Sequence, residues 1–135
     1  MRQAFDYVLV QVVPRIDRDE RLNAGVILFC PTAAFLGCRF RTDDPRLRGW
    51  GGDQLDVDAV LRQLDAIRAV CAGEADAGPI ARLTPSERFH WLSAPRSTVV
   101  QPSAAHVGLC EEPSEALERL FAAAIGGGGP PGLGR

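Results

Sequence analysis

The first part of the chain contains a nearly continuous apolar stretch of the length of a β-strand. From Phe5 to Val13 apolar side chains occupy both faces. The first face holds Val8, Val10 and Val12, and the second holds Tyr7, Leu9, Gln11 and Val13. A strand that is apolar on both faces is typical of the middle of a sheet covered by two layers. We therefore predict a central strand that ends before Pro14.

Two further strands follow a charged connection. Residues 15–23 contain six charged side chains and suit a solvated connection or a short helical turn. Ala24 to Cys30 is apolar throughout and predicts a second strand. Four residues, Pro31 to Ala34, then form a connection of hairpin length to a third, half-buried strand from Phe35 to Arg41.

Two helices are predicted in the middle of the chain. Residues 43–53 are rich in Gly, Pro and charge and predict a loop that carries Trp50. The next helix starts near Asp53 or Asp56 and ends at Gly73. Its apolar stripe consists of Val57, Val60, Leu61, Leu64, Ile67 and Cys71. Thr84-Pro85-Ser86-Glu87 has the pattern of a capping box, so a short helix begins after Thr84 and closes before Pro95.

The last third predicts one interrupted strand and one helix. Thr98 to Gln101 is a fourth strand interrupted by Pro102, and Val107 to Cys110 continues it as strand or as extended chain. A final helix opens at Pro113, with Leu117, Leu120, Phe121 and Ile125 as its stripe. This order of elements predicts an α+β fold: a mainly antiparallel sheet of about four strands with an N-terminal hairpin, covered by two to three helices.

Length and composition indicate a soluble protein with a single core. At 135 residues we expect one α+β domain over residues 1–125 and a disordered Gly/Pro tail over residues 126–135. The 46% hydrophobic and 24% charged fractions are those of a globular protein. No apolar run reaches the roughly 18 residues of a membrane span. The first residues, with Asp6 where a signal peptide would stay apolar, favour the cytoplasm.

Charge and cysteine usage argue against several classes of site. The net charge is −2 and no basic cluster appears, so nucleic acid is not expected as a partner. The four cysteines form no C-x-x-C pair and lie in apolar stretches. They are therefore interpreted as buried small hydrophobes, with no metal and no cofactor predicted.

The segment from Ser86 to Cys110 gathers the residues best suited to binding. Arg88 and Arg96 could grip a carboxylate or phosphate from two sides, with Gln101 fixing its orientation and His106 adding a pH-sensitive hydrogen bond. Trp91 supplies an aromatic surface in the same segment. The alternative is that both arginines are ordinary surface groups and that Gln101 only satisfies backbone near Pro102.

A second candidate cluster lies just before the second strand. Glu20 and Asn23 precede Gly25, where the backbone permits close approach by a neighbour or a ligand. If the protein is an enzyme, His106 is the candidate general base and Glu20 the residue that orients it. The alternative is an exposed loop with a turn-forming Asn.

Three stretches together resemble a known family. They are Tyr7–Pro14, Glu20–Val26, and the segment from Arg88-Phe89-His90-Trp91-Leu92 through Gln101-Pro102-Ser103 to His106-Val107-Gly108. The chain resembles the bacterial family called domain of unknown function 3037, over roughly residues 5–122. The resemblance implies a stand-alone bacterial protein, with some members encoded beside a kinase-like protein. It assigns no reaction to the matching residues, which are Glu20, Asn23, Gly25, Arg88, Trp91, Gln101 and His106.

These observations favour a small cytoplasmic binding or accessory module over an enzyme. Its ligand would be a small anion or an acidic segment of a protein partner, the kinase-like protein being one candidate. The predicted ligand-binding residues are Arg88, Arg96, Gln101, His106, Asn23 and Trp91. Two alternatives remain: a small hydrolase or transferase with His106 as general base, and a purely structural subunit.

Overall fold

The computed structural model describes residues 1–14, 21–51 and 55–125, and within them an α+β fold. The strands of these ranges are β1 (Gln3–Val12), β2 (Leu22–Cys30), β3 (Phe35–Phe40), β4 (Val100–Pro102) and β5 (His106–Cys110). The α-helices are α1 (Arg46–Gly51), α2 (Val57–Ala72), α3 (Pro85–Leu92) and α4 (Pro113–Ala124), and a 3-10 helix spans Pro79–Arg82. The charged segment 15–20 and the predicted tail 126–135 lie outside the described residues.

The sheet is antiparallel throughout the described ranges. Its order is β3-β2-β1, and the free side of β1 pairs with both β4 and β5. β4 pairs with the end of β1, where Gln11 lies opposite Gln101, and β5 pairs with its beginning, where Tyr7 lies opposite His106. The predicted fourth strand is therefore present as two consecutive pieces, as the interruption at Pro102 indicated.

Each face of the sheet is covered by helix, which confirms the prediction of a central β1. On the first face, here called the α2 face, Val8, Val10 and Val12 pack with Ile27 and Phe29 against residues of α2 and α3. The opposite face, here called the α4 face, joins Phe5, Val26, Leu28 and Cys30 to Ala116 and Leu117 of α4. Helix α4 contacts β2 and β3. The polar residues of the α4 face therefore lie on the part of the same face away from this helix, around β1, β4 and β5.

Two predicted helix boundaries are confirmed by their capping contacts. Asp56 caps α2 by accepting a 3.0 Å hydrogen bond from Ala59 N–H, and Gly73 ends the helix with φ 70°, a left-handed conformation that favours glycine. For α3, Thr84 Oγ1 accepts from Glu87 N–H while Glu87 Oε1 accepts from Thr84 N–H. This reciprocal pair is the capping box predicted from the sequence.

The prediction of a loop over residues 43–53 was wrong in part, because Arg46–Gly51 forms α1. Asp44 starts this helix: it is 6% exposed and its carboxylate accepts hydrogen bonds from the backbone and side chain of Arg46. Leu47, 2% exposed, fastens the short helix to the core. A single buried leucine among Gly, Pro and charged residues has no helical periodicity, so the pattern could not reveal it.

The four cysteines are free thiols within the two apolar layers. Cys38 and Cys71 belong to the α2 face, whereas Cys30 and Cys110 belong to the α4 face. A hydrogen bond with Cys38, together with burial, raises the pKa of Cys71, and burial raises that of Cys110. Within the described ranges, the helices are all too short or too polar to cross a membrane.

Candidate functional site

A groove of about 470 Å³ opens between α2, the end of α3 and β4 on the α2 face. Helix α2 forms one wall with Gln63, Ala66, Ile67, Ala69 and Val70. The remaining lining consists of Ala77, Trp91, Arg96, Thr98 and Val100. This volume lies within the range of pockets that hold small organic ligands, roughly 300–1,000 Å³.

Small side chains explain why the groove is open. Gln63, Ala66, Ile67 and Val70 recur at helical spacing along one side of α2, so they form a continuous wall. Three of the lining positions, Ala66, Ala69 and Ala77, carry only a methyl group. The wall from Gln63 to Val70 is about 10 Å long at the 1.5 Å rise of an α-helix.

Trp91 and Arg96 form a stacked pair that lines this groove. The guanidinium carbon of Arg96 lies 4.5 Å from the centroid of the Trp91 ring. Arg96 also donates a 3.0 Å hydrogen bond to the backbone oxygen of Trp91. Trp91 keeps 39% of its surface exposed, so an aromatic face and a cation are both presented at the groove.

The charge of Arg96 is not matched by a carboxylate in the part of the chain that the structure describes. Five of the described arginines are ion-paired, namely Arg39, Arg41, Arg46, Arg48 and Arg68. Among the described residues, Arg96 contacts the ring and the backbone carbonyl of Trp91. Because it is half-buried, this cation would gain from an anionic ligand in the groove.

Arg88 makes backbone contacts between two helices. It donates a 2.7 Å hydrogen bond to Leu83 O and a 3.5 Å hydrogen bond to Cys71 O. Its guanidinium lies over Gly73 at the C-terminus of α2, where the helix dipole favours a positive charge. Its Nε is buried and has no hydrogen-bond partner within the described residues. Through these contacts Arg88 holds α3 to the end of α2.

On the α4 face, amide side chains form a row across three strands. Gln11 Nε2 donates to Asn23 Oδ1 at 3.0 Å, and Arg21 Nη1 lies 3.4 Å from both Gln11 Oε1 and Gln101 Oε1. Gln101 also donates a 2.6 Å hydrogen bond to Thr98 O. Adjacent strands thus place Asn23, Gln11 and Gln101 side by side, as their register requires.

His106 is exposed and lies on the same face at the other end of β1. Its ring packs on Tyr7, with 5.2 Å between centroids. Gln11 lies four positions after Tyr7 in β1, which is about 13 Å along a strand. Glu20, the predicted orienter of His106, lies outside the described residues.

The structure therefore divides the predicted binding residues and corrects the expectation of one cleft around Arg88, Arg96, Gln101 and His106. It brings Trp91 and Arg96 together at the groove. It places Gln101, Asn23 and His106 on the opposite face, because successive residues of a strand point to opposite sides and Val100 already faces the groove. Arg88 lies between the helices.

Sequence reasoning missed most of the groove and part of the amide row. Gln63, Ile67, Val70 and Thr98 carry no distinctive signal, because helical apolar residues and a strand-end threonine occur in every core. Gln11 did carry one: it is the only amide in an otherwise apolar stretch of β1. Among the described residues, no three His, Cys, Asp or Glu side chains come together as metal ligands would.

Residues 7–125 match the family described as "Protein of unknown function (DUF3037)". The chain belongs to this family. The match spans β1 to α4 and so includes the groove, the amide row and His106 of this DUF3037 protein. Comparison with curated proteins and with solved structures finds no match.

Proposed function

We propose that this DUF3037 protein is a binding module that holds a small organic anion in the groove between α2, α3 and β4. The observation that carries the proposal is the Trp91–Arg96 pair at a mostly apolar groove of about 470 Å³. The apolar wall suits the body of a ligand, and Arg96 suits its charge. Apolar pockets with a few placed polar groups are the usual form of small-molecule sites.

Of the two ligands expected from the sequence, a small anion fits better than an acidic peptide segment. An acidic peptide presents several carboxylates, and Arg96 is the single charged side chain among the groove residues that the structure describes. A groove about 10 Å long also matches a small molecule. An accessory role toward a kinase-like protein stays a prediction, as does the cytoplasmic location.

The other two hypotheses have less support. An enzyme with His106 as general base would need a partner for that imidazole, and its contact in the described ranges is the ring of Tyr7. A purely structural subunit would not need an open groove with an unmatched cation. Neither is carried by a specific observation, so the binding module is the function we put forward.

The test is titration with 1-anilinonaphthalene-8-sulfonate, an apolar aromatic anion whose fluorescence rises in apolar sites. We expect saturable binding by the wild type, roughly fivefold weaker binding by Arg96→Gln because a partly exposed ion pair is lost, and no binding by Ala66→Leu. Circular dichroism would establish that each variant is folded.

Two matched variants serve as controls. Arg62→Gln removes an exposed arginine of α2 that does not line the groove, and Ala72→Leu enlarges an exposed alanine at the end of the same helix. Both should bind the dye as the wild type does. Absence of binding to the wild type, or equal affinity in all five proteins, would refute the proposal.

A further inference from the structure

The groove also restricts the charge of its ligand. We infer that it takes a singly charged amphiphile, an acyl or aryl monocarboxylate with its apolar body along α2 and its carboxylate at Arg96. This inference rests on the proposed function and narrows it to one class of ligand. Its grounds are the count of cations, the direction of α2 and the hydrogen bonds already made by the lining residues.

Arg96 can neutralise one negative charge. No second Arg, Lys or His occurs among the groove residues within the described ranges. A dianion such as a phosphate monoester, or a dicarboxylate with a charge at each end, would leave one charge without a cation. Placing an unpaired charge against apolar side chains is strongly unfavourable.

The orientation of α2 opposes a second anion as well. The groove uses the C-terminal half of this helix, from Gln63 to Val70, and the helix ends at Ala72. The carbonyls of Ala69 and Val70 face the C-terminal cap, where they accept from the backbone N–H groups of Glu74 and Gly73. The C-terminus of a helix carries partial negative charge, so it offers no attraction to a second anion, and the guanidinium of Arg88 over Gly73 already occupies this end.

The polar side chains of the groove supply little further binding capacity for an anion. Thr98 Oγ1 already donates a 2.6 Å hydrogen bond to Val100 O. Gln63 is exposed and neutral. The surfaces left for the rest of the ligand are Ile67, Val70, Val100 and the exposed part of Trp91, all of which favour methylene groups or an aromatic ring.

The groove has room for a ligand whose apolar part is of medium length. Its wall along α2 is about 10 Å, which accommodates an extended chain of eight to ten carbons or two fused rings. Decanoate is therefore a suitable probe. Decanol has the same chain without the charge, and decanedioate has the same chain with a charge at both ends.

The experiment measures the dissociation constants of these three compounds by calorimetry, each below its micelle concentration. We expect decanoate to bind roughly fivefold more tightly than decanol, because it adds one partly exposed ion pair with Arg96. Decanedioate should bind at least tenfold more weakly than decanoate, because its second carboxylate would lie against apolar side chains. Arg96→Gln should lower the affinity for decanoate to that for decanol, whereas Arg62→Gln should leave all three dissociation constants unchanged.

The outcomes separate this inference from the proposed function. If decanedioate binds as tightly as decanoate and Ala66→Leu abolishes both, the groove is a ligand site but the restriction to one charge is wrong. If the wild type binds decanol and decanoate with equal affinity, the inference also fails, because Arg96 then contributes nothing to recognition. If no compound binds, or Ala66→Leu changes nothing, the proposed function itself fails.

Discussion

Leu9 and Ser103 are joined by two hydrogen bonds at the point where β4 ends and β5 begins. Leu9 N–H donates to Ser103 Oγ at 2.9 Å, and Ser103 N–H donates to Leu9 O at 2.8 Å. The Ser103 hydroxyl thus takes the place of the backbone carbonyl that a regular strand would offer to Leu9. This contact allows β4 and β5 to pair with the same strand although the ladder is broken between them.

Ser103→Ala should therefore lower the free energy of unfolding by about 1 kcal/mol, because the half-buried Leu9 N–H loses its partner and water only partly replaces it. Urea denaturation at neutral pH would measure the change. Ser97→Ala, at an exposed serine three residues before the start of β4, is the control and should change it by less than about 0.5 kcal/mol. Equal effects of the two substitutions would show that the Ser103 hydroxyl has no special role.

Asp44 makes the stability of α1 dependent on pH. A hydrogen bond from Arg46 lowers the pKa of Asp44 below the usual carboxyl value of about 4, and the charge of Arg41 adds to the effect. A carboxylate whose pKa is lowered by folding stabilises the protein above the unfolded-state pKa and loses that contribution as pH falls through its folded-state pKa.

Asp44→Asn should lower the free energy of unfolding at pH 7 by about 1–2 kcal/mol, since Arg46 and Arg41 lose an ionised acceptor. The difference from the wild type should shrink below about pH 4, where the wild-type carboxylate becomes protonated too. Denaturation curves between pH 2 and pH 7 would measure it. A difference that stayed constant across this range would contradict the assignment of the effect to the ionised carboxylate.

Cys38 should be the most reactive of the four cysteines. A hydrogen bond from Cys71 lowers the pKa of Cys38 against the opposing effect of burial, and Arg68 lowers it further. Cys38 is half-buried, whereas Cys30, Cys71 and Cys110 are buried. Because the thiolate is the reactive form, iodoacetamide should modify Cys38 first.

Mass spectrometry of tryptic peptides after brief labelling at several pH values would show the order. Cys71→Ala removes the hydrogen-bond donor, so the pH at which Cys38 is half-reactive should rise. Cys110→Ala, on the opposite face of the sheet, should leave it unchanged. Earlier labelling of any other cysteine would disprove this order.

The elements of the fold were predictable where one local signal determined each of them. The capping box at Thr84 and Glu87, the helix end at Gly73 and the two-sided apolar pattern of β1 each depend on a few neighbouring residues, and each is present as predicted. Gly25 was expected to permit close approach by a neighbour. The neighbour is Phe40 across the β2–β3 pair, since a side-chain carbon at position 25 would overlap its ring.

The candidate site was less predictable, because it depends on which face of the sheet each side chain occupies. Trp91 and Arg96 were both predicted as binding residues from the sequence, and the structure brings them together because Arg96 folds back onto the end of α3. Gln101 was grouped with them by closeness in sequence. Because successive residues of a strand point to opposite faces of the sheet, Gln101 and Val100 had to lie on different faces. Only the position of the helices could show which of the two residues faces a groove.

The two arginines first grouped as one anion clamp should behave in opposite ways when each is replaced. Arg88→Ala should lower the free energy of unfolding by about 1–2 kcal/mol, because the partly buried bond to the Cys71 carbonyl is lost and with it the tie between α3 and α2, whereas the exposed bond to Leu83 O contributes little. Arg96→Ala should change it by less than about 0.5 kcal/mol, because its hydrogen bond to Trp91 O is solvent-exposed.

Denaturant unfolding of both variants, followed by dye binding at a temperature where both are folded, separates the two roles. Arg96→Ala should lose dye affinity at nearly full stability, whereas Arg88→Ala should keep its affinity at reduced stability. A loss of stability in Arg96→Ala equal to that in Arg88→Ala would mean that Arg96, too, serves the scaffold. The argument for an unmatched cation at the groove would then no longer hold, because the guanidinium would already be committed to the contacts that hold the end of α3.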